Sequence, residues 1–117
     1  MKLAKDLVAA SATPLVLAVL RGGDSYGYAI LQDIEAASGG RLEWTEGMLY
    51  PLLHRLESRR YIEHYQATSD AGRVRKYYRL LTAGGDHLDA QTRDFDLISS
   101  TLAALRGPNA GGTHAIA

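Results

Sequence analysis

The chain has 117 residues, no cysteine, and 46% hydrophobic residues. This length suits one domain with a real core, and the missing cysteines exclude a disulfide framework, a thiolate metal site and a cysteine nucleophile. The 13 basic and 13 acidic side chains cancel, so the overall charge neither indicates nor excludes a nucleic-acid partner. The longest apolar stretch, residues 15–20, is far too short to span a bilayer, and no signal-peptide core follows the N-terminus, so we expect a cytoplasmic protein.

The neutral total conceals a basic middle third. Residues 41–79 carry eight basic and five acidic side chains, and the segments on either side are slightly acidic. A locally basic surface can bind an anion on a neutral protein. An asymmetry of this size also arises by chance, so the charge pattern alone leaves both interpretations open.

The first third of the chain predicts helices. A short helix is expected over residues 3–11, and a second begins with Thr13 as N-cap and Pro14 at the first helical position. This second helix is apolar on nearly all sides and ends at Gly22-Gly23, so it is expected in the centre of the core.

A third helix is expected from Ser25, as its cap, to Ala37. Its apolar face comprises Ile30, Ile34 and Ala37, which recur at helical spacing. The glycines at 39 and 40 end this helix.

The next helix is predicted from Thr45 to about Arg60. Thr45 is the expected N-cap, and Glu46 is favourable at the positive end of the helix dipole. Trp44, just before the cap, is expected in the core. The predicted inward face consists of Leu49, Leu52, Leu53 and Leu56.

From residue 62 the hydrophobic period changes from 3.6 to 2. Residues 62–68 and 74–81 favour β-structure and are separated by turn-forming residues 69–73, which predicts one antiparallel hairpin. Tyr77 and Tyr78 point to opposite faces of such a strand, so one of them is expected in the core. The pattern does not say which one.

A last helix of about 25 residues, roughly 37 Å long, is predicted from Thr82, as its cap, to Gly107. Its apolar side chains recur at heptad spacing, which is typical of a dimerisation seam. The alternative is that this helix folds back on its own domain. With a contribution from the first helix, the predicted dimer contacts are Leu3, Leu7, Val8, Leu88, Gln91, Phe95, Ile98, Leu102 and Leu105.

The order of elements predicts the fold class: mainly α with a small β-hairpin, as a winged helix-turn-helix plus a long C-terminal dimerisation helix. The expected units are a DNA-binding domain at 1–81, the dimerisation helix at 82–106 and a disordered tail at 107–117. In such a fold the helix before the hairpin can enter a major groove about 12 Å wide, and a basic hairpin can reach the neighbouring phosphates.

Three segments in order resemble the PadR family of transcriptional regulators. They are Gly-Tyr-Ala-Ile at 27–30, EGMLYPLLHRLE at 46–57 and GRVRKYYRL at 72–80. The second is similar to the family's recognition helix, usually EGTLYPxLxRLE, and the third to its wing. Met48 stands where the family usually has threonine, which removes a polar contact.

The resemblance implies a transcriptional repressor that binds double-stranded DNA, at a palindromic operator, as a homodimer without a cofactor. The alternative is a winged-helix dimer that binds an effector or a protein and has lost specific DNA recognition, which Met48 favours slightly. Arg73 and Lys76 are the favoured phosphate contacts, and Arg55 could instead pair with Glu57. The full set of expected DNA-binding residues is Tyr26, Tyr28, Thr45, Gly47, Met48, Tyr50, Pro51, His54, Arg55, Arg73, Arg75 and Lys76.

Some small PadR regulators hold flat aromatic ligands between their two last helices, and Phe95 stands at the matching place. The two alternatives are an aromatic effector pocket and a closed dimer core. The pocket would be lined by Leu7, Ser11, Ala18, Phe95, Ile98, Ser99 and Leu102. Enzymatic function is not expected, because His54 and Glu57 fit no standard zinc arrangement and no serine has a His–Asp signature.

Overall fold

The computed structural model describes residues 4–107. Leu3 of the predicted interface and residues 108–117 of the predicted tail therefore lie outside the described residues. The elements are α1 (Lys5–Arg21), β1 (Ser25–Tyr26), α2 (Gly27–Ala37), α3 (Glu46–Ser58), β2 (Ile62–Thr68), β3 (Val74–Leu80) and α4 (Thr82–Arg106). This is the mainly helical winged arrangement that the sequence predicts.

The separate first and second helices were a wrong prediction, because α1 runs unbroken through Pro14. Thr13 is not a cap, and the helix instead begins after Ala4. A proline inside a helix costs about 3 kcal/mol through a lost hydrogen bond and a clash. The burial of Val16, Leu17 and Leu20 immediately after it offsets that cost, since each is worth about 1.5–3 kcal/mol.

The sheet has three strands rather than two, in the order β1-β3-β2. Ser25 and Tyr26 pair antiparallel with Tyr78 and Tyr77 of β3. Ser25 therefore does not cap α2, because it lies in a strand, and Tyr26 occupies the N-cap position without a side-chain hydrogen bond. The predicted hairpin itself is present, with Ile62 opposite Leu80 and Thr68 opposite Val74.

One hydrophobic core joins the three N-terminal helices to the sheet. The four predicted leucines of α3 are all buried, and so are Trp44, Ile30 and Ile34. Tyr78 is the core tyrosine of the pair, at 2% exposure. Ala37 is exposed, because the last turn of α2 extends past the edge of this core.

A Schellman motif ends α3 at Ser58, two residues before the predicted end. Arg60 adopts a φ of 62°, and its N–H donates to the Glu57 carbonyl at 3.0 Å. The N–H of Tyr61 donates to the Leu56 carbonyl, also at 3.0 Å. These are the two backbone bonds of that motif, with arginine where glycine is usual.

Only the beginning of α4 packs on its own domain. Gly84 and Leu88 are buried, whereas every residue from 92 to 106 is exposed. The first residue of α4 is Thr82 and its N-cap position is Leu81, so Thr82 is not the predicted cap.

Candidate nucleic-acid interface

The outer face of α3 presents polar and aromatic side chains on a capped helix end. Thr45 is the N-cap, as predicted, and its Oγ1 accepts a hydrogen bond from the Met48 N–H at 3.3 Å. Met48 and Tyr50 are 47% and 43% exposed. The remaining predicted residues of this face, namely Thr45, Gly47, Pro51, His54 and Arg55, are also exposed.

Tyr50 packs across the start of α2. A Cβ built on Gly27 would lie 2.4 Å from the Tyr50 hydroxyl oxygen, so the ring occupies the space that a side chain at 27 would need. Partial burial and the nearby Glu46 carboxylate raise the pKa of Tyr50 above its ordinary value. The hydroxyl is therefore protonated at neutral pH and able to donate a hydrogen bond.

The two faces of β3 separate the wing cations. The Lys76 ammonium lies 5.5 Å from the centre of the Tyr78 ring and close enough to Tyr50 to act on its pKa. On the opposite face, the Arg75 guanidinium lies 4.3 Å over the Tyr26 ring. The structure therefore brings Lys76 together with the α3 surface and places Tyr26 and Arg75 elsewhere.

A ladder of three tyrosines crosses that opposite face. The Tyr77 ring centre is 5.5 Å from that of Tyr26 and 5.8 Å from that of Tyr65, one contact per strand pair. The Tyr65 hydroxyl donates to the Asp24 carboxylate at 2.6 Å, and this bond raises the pKa of Tyr65. Such cross-strand aromatic pairs stabilise a small sheet.

Arg73 lies at the tip of the hairpin rather than in β3. Its backbone N–H donates to the Ser69 hydroxyl at 3.2 Å, and its carbonyl accepts from the Ser69 N–H at 2.8 Å. The backbone of the tip is thereby fixed while the Arg73 side chain is exposed.

The basic side chains divide into paired and unpaired groups. Arg79 forms ion pairs with Glu63 at 3.0 Å and Asp24 at 3.6 Å, and the contact with Glu63 raises its pKa. Within residues 4–107, by contrast, the side chains of Arg55, Arg73 and Lys76 form no ion pair. Glu57, the alternative partner for Arg55, instead contacts His64.

Sequence reasoning missed two contacts of this region. The Arg79–Glu63 pair requires the strand register, in which these residues are directly opposite each other. The Glu57–His64 contact joins α3 to β2 across the turn at Arg60, and no local spacing signals it.

Tyr28 is exposed at the start of α2, and its hydroxyl accepts a hydrogen bond from the Gln32 amide at 3.0 Å.

An open groove of about 960 Å³ lies between α1 and α3 and includes Val8, Trp44 and Met48 in its lining. The Trp44 indole Nε1 is buried and makes no hydrogen bond with the described residues.

The predicted seam on α4 divides at Gln91. Leu88 is 4% exposed and belongs to the protomer's own core, so its assignment to the dimer surface was wrong. The Gln91 side-chain oxygen is likewise buried within the protomer. Heptad spacing cannot distinguish burial in the protomer's own core from burial in a dimer interface, because both require an apolar face.

Beyond Gln91, α4 does not fold back on its own domain. Phe95, Ile98, Leu102 and Leu105 are exposed, and so is Ser99. On α1, Leu7 and Ala18 are exposed, and the hydroxyl of Ser11 is bonded to the Leu7 carbonyl at 2.8 Å.

No group of three or more His, Asp or Glu residues suited to a metal ion occurs among residues 4–107. Over the same residues, no helix combines the length and the apolar character needed to cross a membrane.

Comparison with known proteins gives a consistent result. The model of the transcriptional regulator PadR-like family matches residues 16–90. An uncharacterized protein of Lysinibacillus sphaericus is 29% identical over 90 residues, which span 77% of this chain and 83% of that protein.

Solved structures agree with the family match. A transcriptional regulator from Clostridium thermocellum has a TM-score of 0.77 at 26% identity, over 86% of this chain and 97% of that chain. A PadR family transcription regulator from Clostridium difficile has a TM-score of 0.73 at 28% identity, over 83% and 99% of the two chains. The family and these neighbours are regulators of transcription, not enzymes.

Proposed function

Because this chain belongs to the PadR-like family of transcriptional regulators, and is therefore a DNA-binding regulator, we propose that it is a homodimeric repressor. It acts in the cytoplasm on a palindromic operator, with α3 in the major groove and the hairpin on the adjacent backbone. Two protomers related by a dyad read two half-sites, which doubles the phosphate contacts of a small domain.

The observation that carries this proposal is that the wing separates unpaired basic side chains near α3 from a paired one. Lys76 faces the same side as Tyr50, and Arg73 extends from the tip, and neither forms an ion pair within residues 4–107. Arg79 is neutralised by two acids. Unpaired cations beside an exposed helix face attract phosphate, whereas a paired arginine stabilises the fold.

The exposed half of α4 supports the dimer. Four large apolar side chains of the predicted seam lie on α4 beyond Gln91 and are 38–79% exposed in the protomer. A continuous apolar face on a protruding helix is typical of an interface between copies. Phe95 lies at the end of this face nearest the protomer's own domain, so an aromatic effector that enters there would change the angle between protomers and release the operator.

The test is a gel-shift titration of the protein against its own promoter and against a scrambled duplex, at several salt concentrations. Lys76→Ala should weaken binding to all duplexes and reduce the log–log salt slope by about one. Arg75→Ala is the matched control, because it removes an equal charge from the opposite face of the same strand, and its salt slope should stay near that of the wild type. Equal effects of the two substitutions would contradict the proposed interface.

A second candidate, a dimer without specific DNA recognition, is favoured by the exposed Met48. It predicts equal affinity for promoter and scrambled duplex, and it predicts that Met48→Thr restores a preference. A strong preference in the wild type excludes it.

A further inference from the structure

A single residue, Tyr61, connects the end of α3 to the beginning of α4. Its N–H closes α3 by donating to Leu56, and its carbonyl accepts from the Leu81 N–H at 2.9 Å, just before α4 begins. Its ring stacks on His87 of α4, with ring centres 4.5 Å apart and planes 16° apart. The candidate recognition helix and the protruding helix therefore both contact Tyr61.

Gly84 allows α4 to lie directly on the backbone of Tyr61. A Cβ at position 84 would be 2.1 Å from the Tyr61 carbonyl oxygen and 2.9 Å from its carbonyl carbon. These are backbone atoms, so they cannot move aside as a flexible side chain can. A Cβ at the adjacent Gly85 would meet Arg21 Nη2 at 3.5 Å, an ordinary contact.

Arg21 holds α4 from the other side. It lies at the end of α1, where its Nη1 donates to Asp89 at 2.8 Å and its Nη2 to the Gly85 carbonyl at 2.9 Å. The ion pair is about half exposed, so it contributes little to the free energy of unfolding. Its role is to fix the orientation of α4 relative to α1. We call Arg21, Tyr61, Gly84 and His87 the joint.

We propose that the joint sets the angle of α4 relative to α3 and thereby the half-site spacing that the dimer reads. Its residues are positioning residues, because they lie away from the exposed α3 face. From residue 92 to residue 106 every side chain of α4 is exposed, so no core contact further along the helix corrects the angle. The inference about spacing rests on the proposed dimer function, whereas the angle itself does not.

The size of the effect follows from the helix acting as a lever. Relief of the clash at position 84 requires a shift of about 1.3 Å. Over the roughly 8 Å of helix from Gly84 to Asp89, where Arg21 holds α4, this shift tilts the helix by about 10°. From Asp89 to Arg106 the helix extends about 25 Å, so its far end moves by about 4 Å. This is close to the rise of one base pair, about 3.4 Å.

Distances between two spin labels test the joint directly. The chain has no cysteine, so Asp33→Cys and Ser100→Cys, both at exposed positions on α2 and α4, supply the only labelling sites. Labelled protein diluted with unlabelled protein reports the distance within one protomer, in a monomer or in a dimer. Ser100 lies about 16 Å beyond Asp89, so Gly84→Ala should shift this distance by up to about 3 Å, and Gly85→Ala should leave it unchanged.

An unchanged distance in folded Gly84→Ala overturns the proposal, and so does an equal shift in Gly85→Ala. Should Gly84→Ala fail to fold, the double variant Arg21→Ala/His87→Ala decides, since it removes contacts without inserting an atom. It should broaden the distance distribution, and an unchanged width overturns the proposal.

Selection from a library of random duplexes then tests the spacing. Wild type and Gly85→Ala should enrich inverted repeats of one spacing, and Gly84→Ala should enrich a spacing that differs by about one base pair. If the wild type enriches no inverted repeat, the proposed function fails, while the label distances still decide the role of the joint. If the wild type and Gly84→Ala enrich the same spacing, the inference about spacing is wrong, while the proposed function stands.

Discussion

Leu102 and Leu97 allow a direct test of which face of α4 forms the dimer. Both are leucines on the protruding part of one helix, 55% and 64% exposed. Leu102 lies on the predicted seam and Leu97 does not. Truncation of either to alanine removes the same atoms and gives nearly the same helix propensity.

The expected loss for Leu102→Ala follows from its exposure in the protomer. Full burial of a leucine side chain is worth about 1.5–3 kcal/mol, so covering about half of one contributes about 1 kcal/mol. A symmetric dimer contains two copies, so the substitution should weaken association by about 2 kcal/mol, or roughly 30-fold in Kd. Leu97→Ala should change Kd by less than about threefold, a fraction of a kcal/mol.

Sedimentation equilibrium over a range of protein concentrations measures both constants. Urea denaturation at a concentration where each variant is monomeric checks that the protomer is intact, because neither leucine belongs to its core. A larger loss for Leu97→Ala than for Leu102→Ala would refute the assignment of the seam. A wild-type protein that stays monomeric at the highest concentration would refute the dimer itself.

Three further predictions concern the elements that carry the candidate interface. Arg60→Gly should raise the free energy of unfolding by about 1 kcal/mol, because glycine adopts the left-handed conformation without the Cβ clash; a decrease in urea titrations would contradict the assigned motif. Thr45→Ala should lower the free energy of unfolding by about 1 kcal/mol through loss of the cap, and Thr45→Asp should retain most of it; the fluorescence of Trp44, the single tryptophan, reports the transition, and equal midpoints for the three proteins would exclude a role for the cap. The pKa of Tyr50 is raised in the folded protein, so the contribution of its neutral hydroxyl to the free energy of unfolding is fully present below the unfolded pKa of about 10 and is lost as pH rises through the higher folded pKa. Tyr50→Phe should therefore lose less stability above about pH 10 than the wild type. Parallel profiles of unfolding free energy against pH would contradict this.

Local signals predicted most of α3 and the hairpin. The Thr45 cap, the buried leucines and the alternation of β2 and β3 follow from neighbours in sequence, and the structure confirms them. The break predicted at Pro14 failed because burial of the residues after the proline outweighs a local rule. Strand β1 was missed because two residues carry no periodicity, and only pairing with a distant strand defines them.

The candidate site was harder to predict than the fold. The sequence identified the basic residues of the wing but not the face of β3 on which each of them lies. That placement depends on the strand register and on the residue at which β3 begins. It assigned Leu88 to the dimer because heptad spacing records that a side chain needs cover and not which chain provides it. The joint at Tyr61 has no local signature, since Gly84 is restricted by a carbonyl more than twenty residues earlier.

The tyrosine ladder has a consequence for how the hairpin tip can change. Tyr26, Tyr77 and Tyr65 connect all three strands, and three residue pairs separate the Tyr65–Tyr77 contact from the turn at residues 69–73. We therefore expect strand pairing to depend little on which residues form the turn. Loop length sets the register of a hairpin, so this expectation covers exchange of tip residues and not insertion or deletion. Altered tips of the same length should therefore be accepted on this chain without redesign of its core.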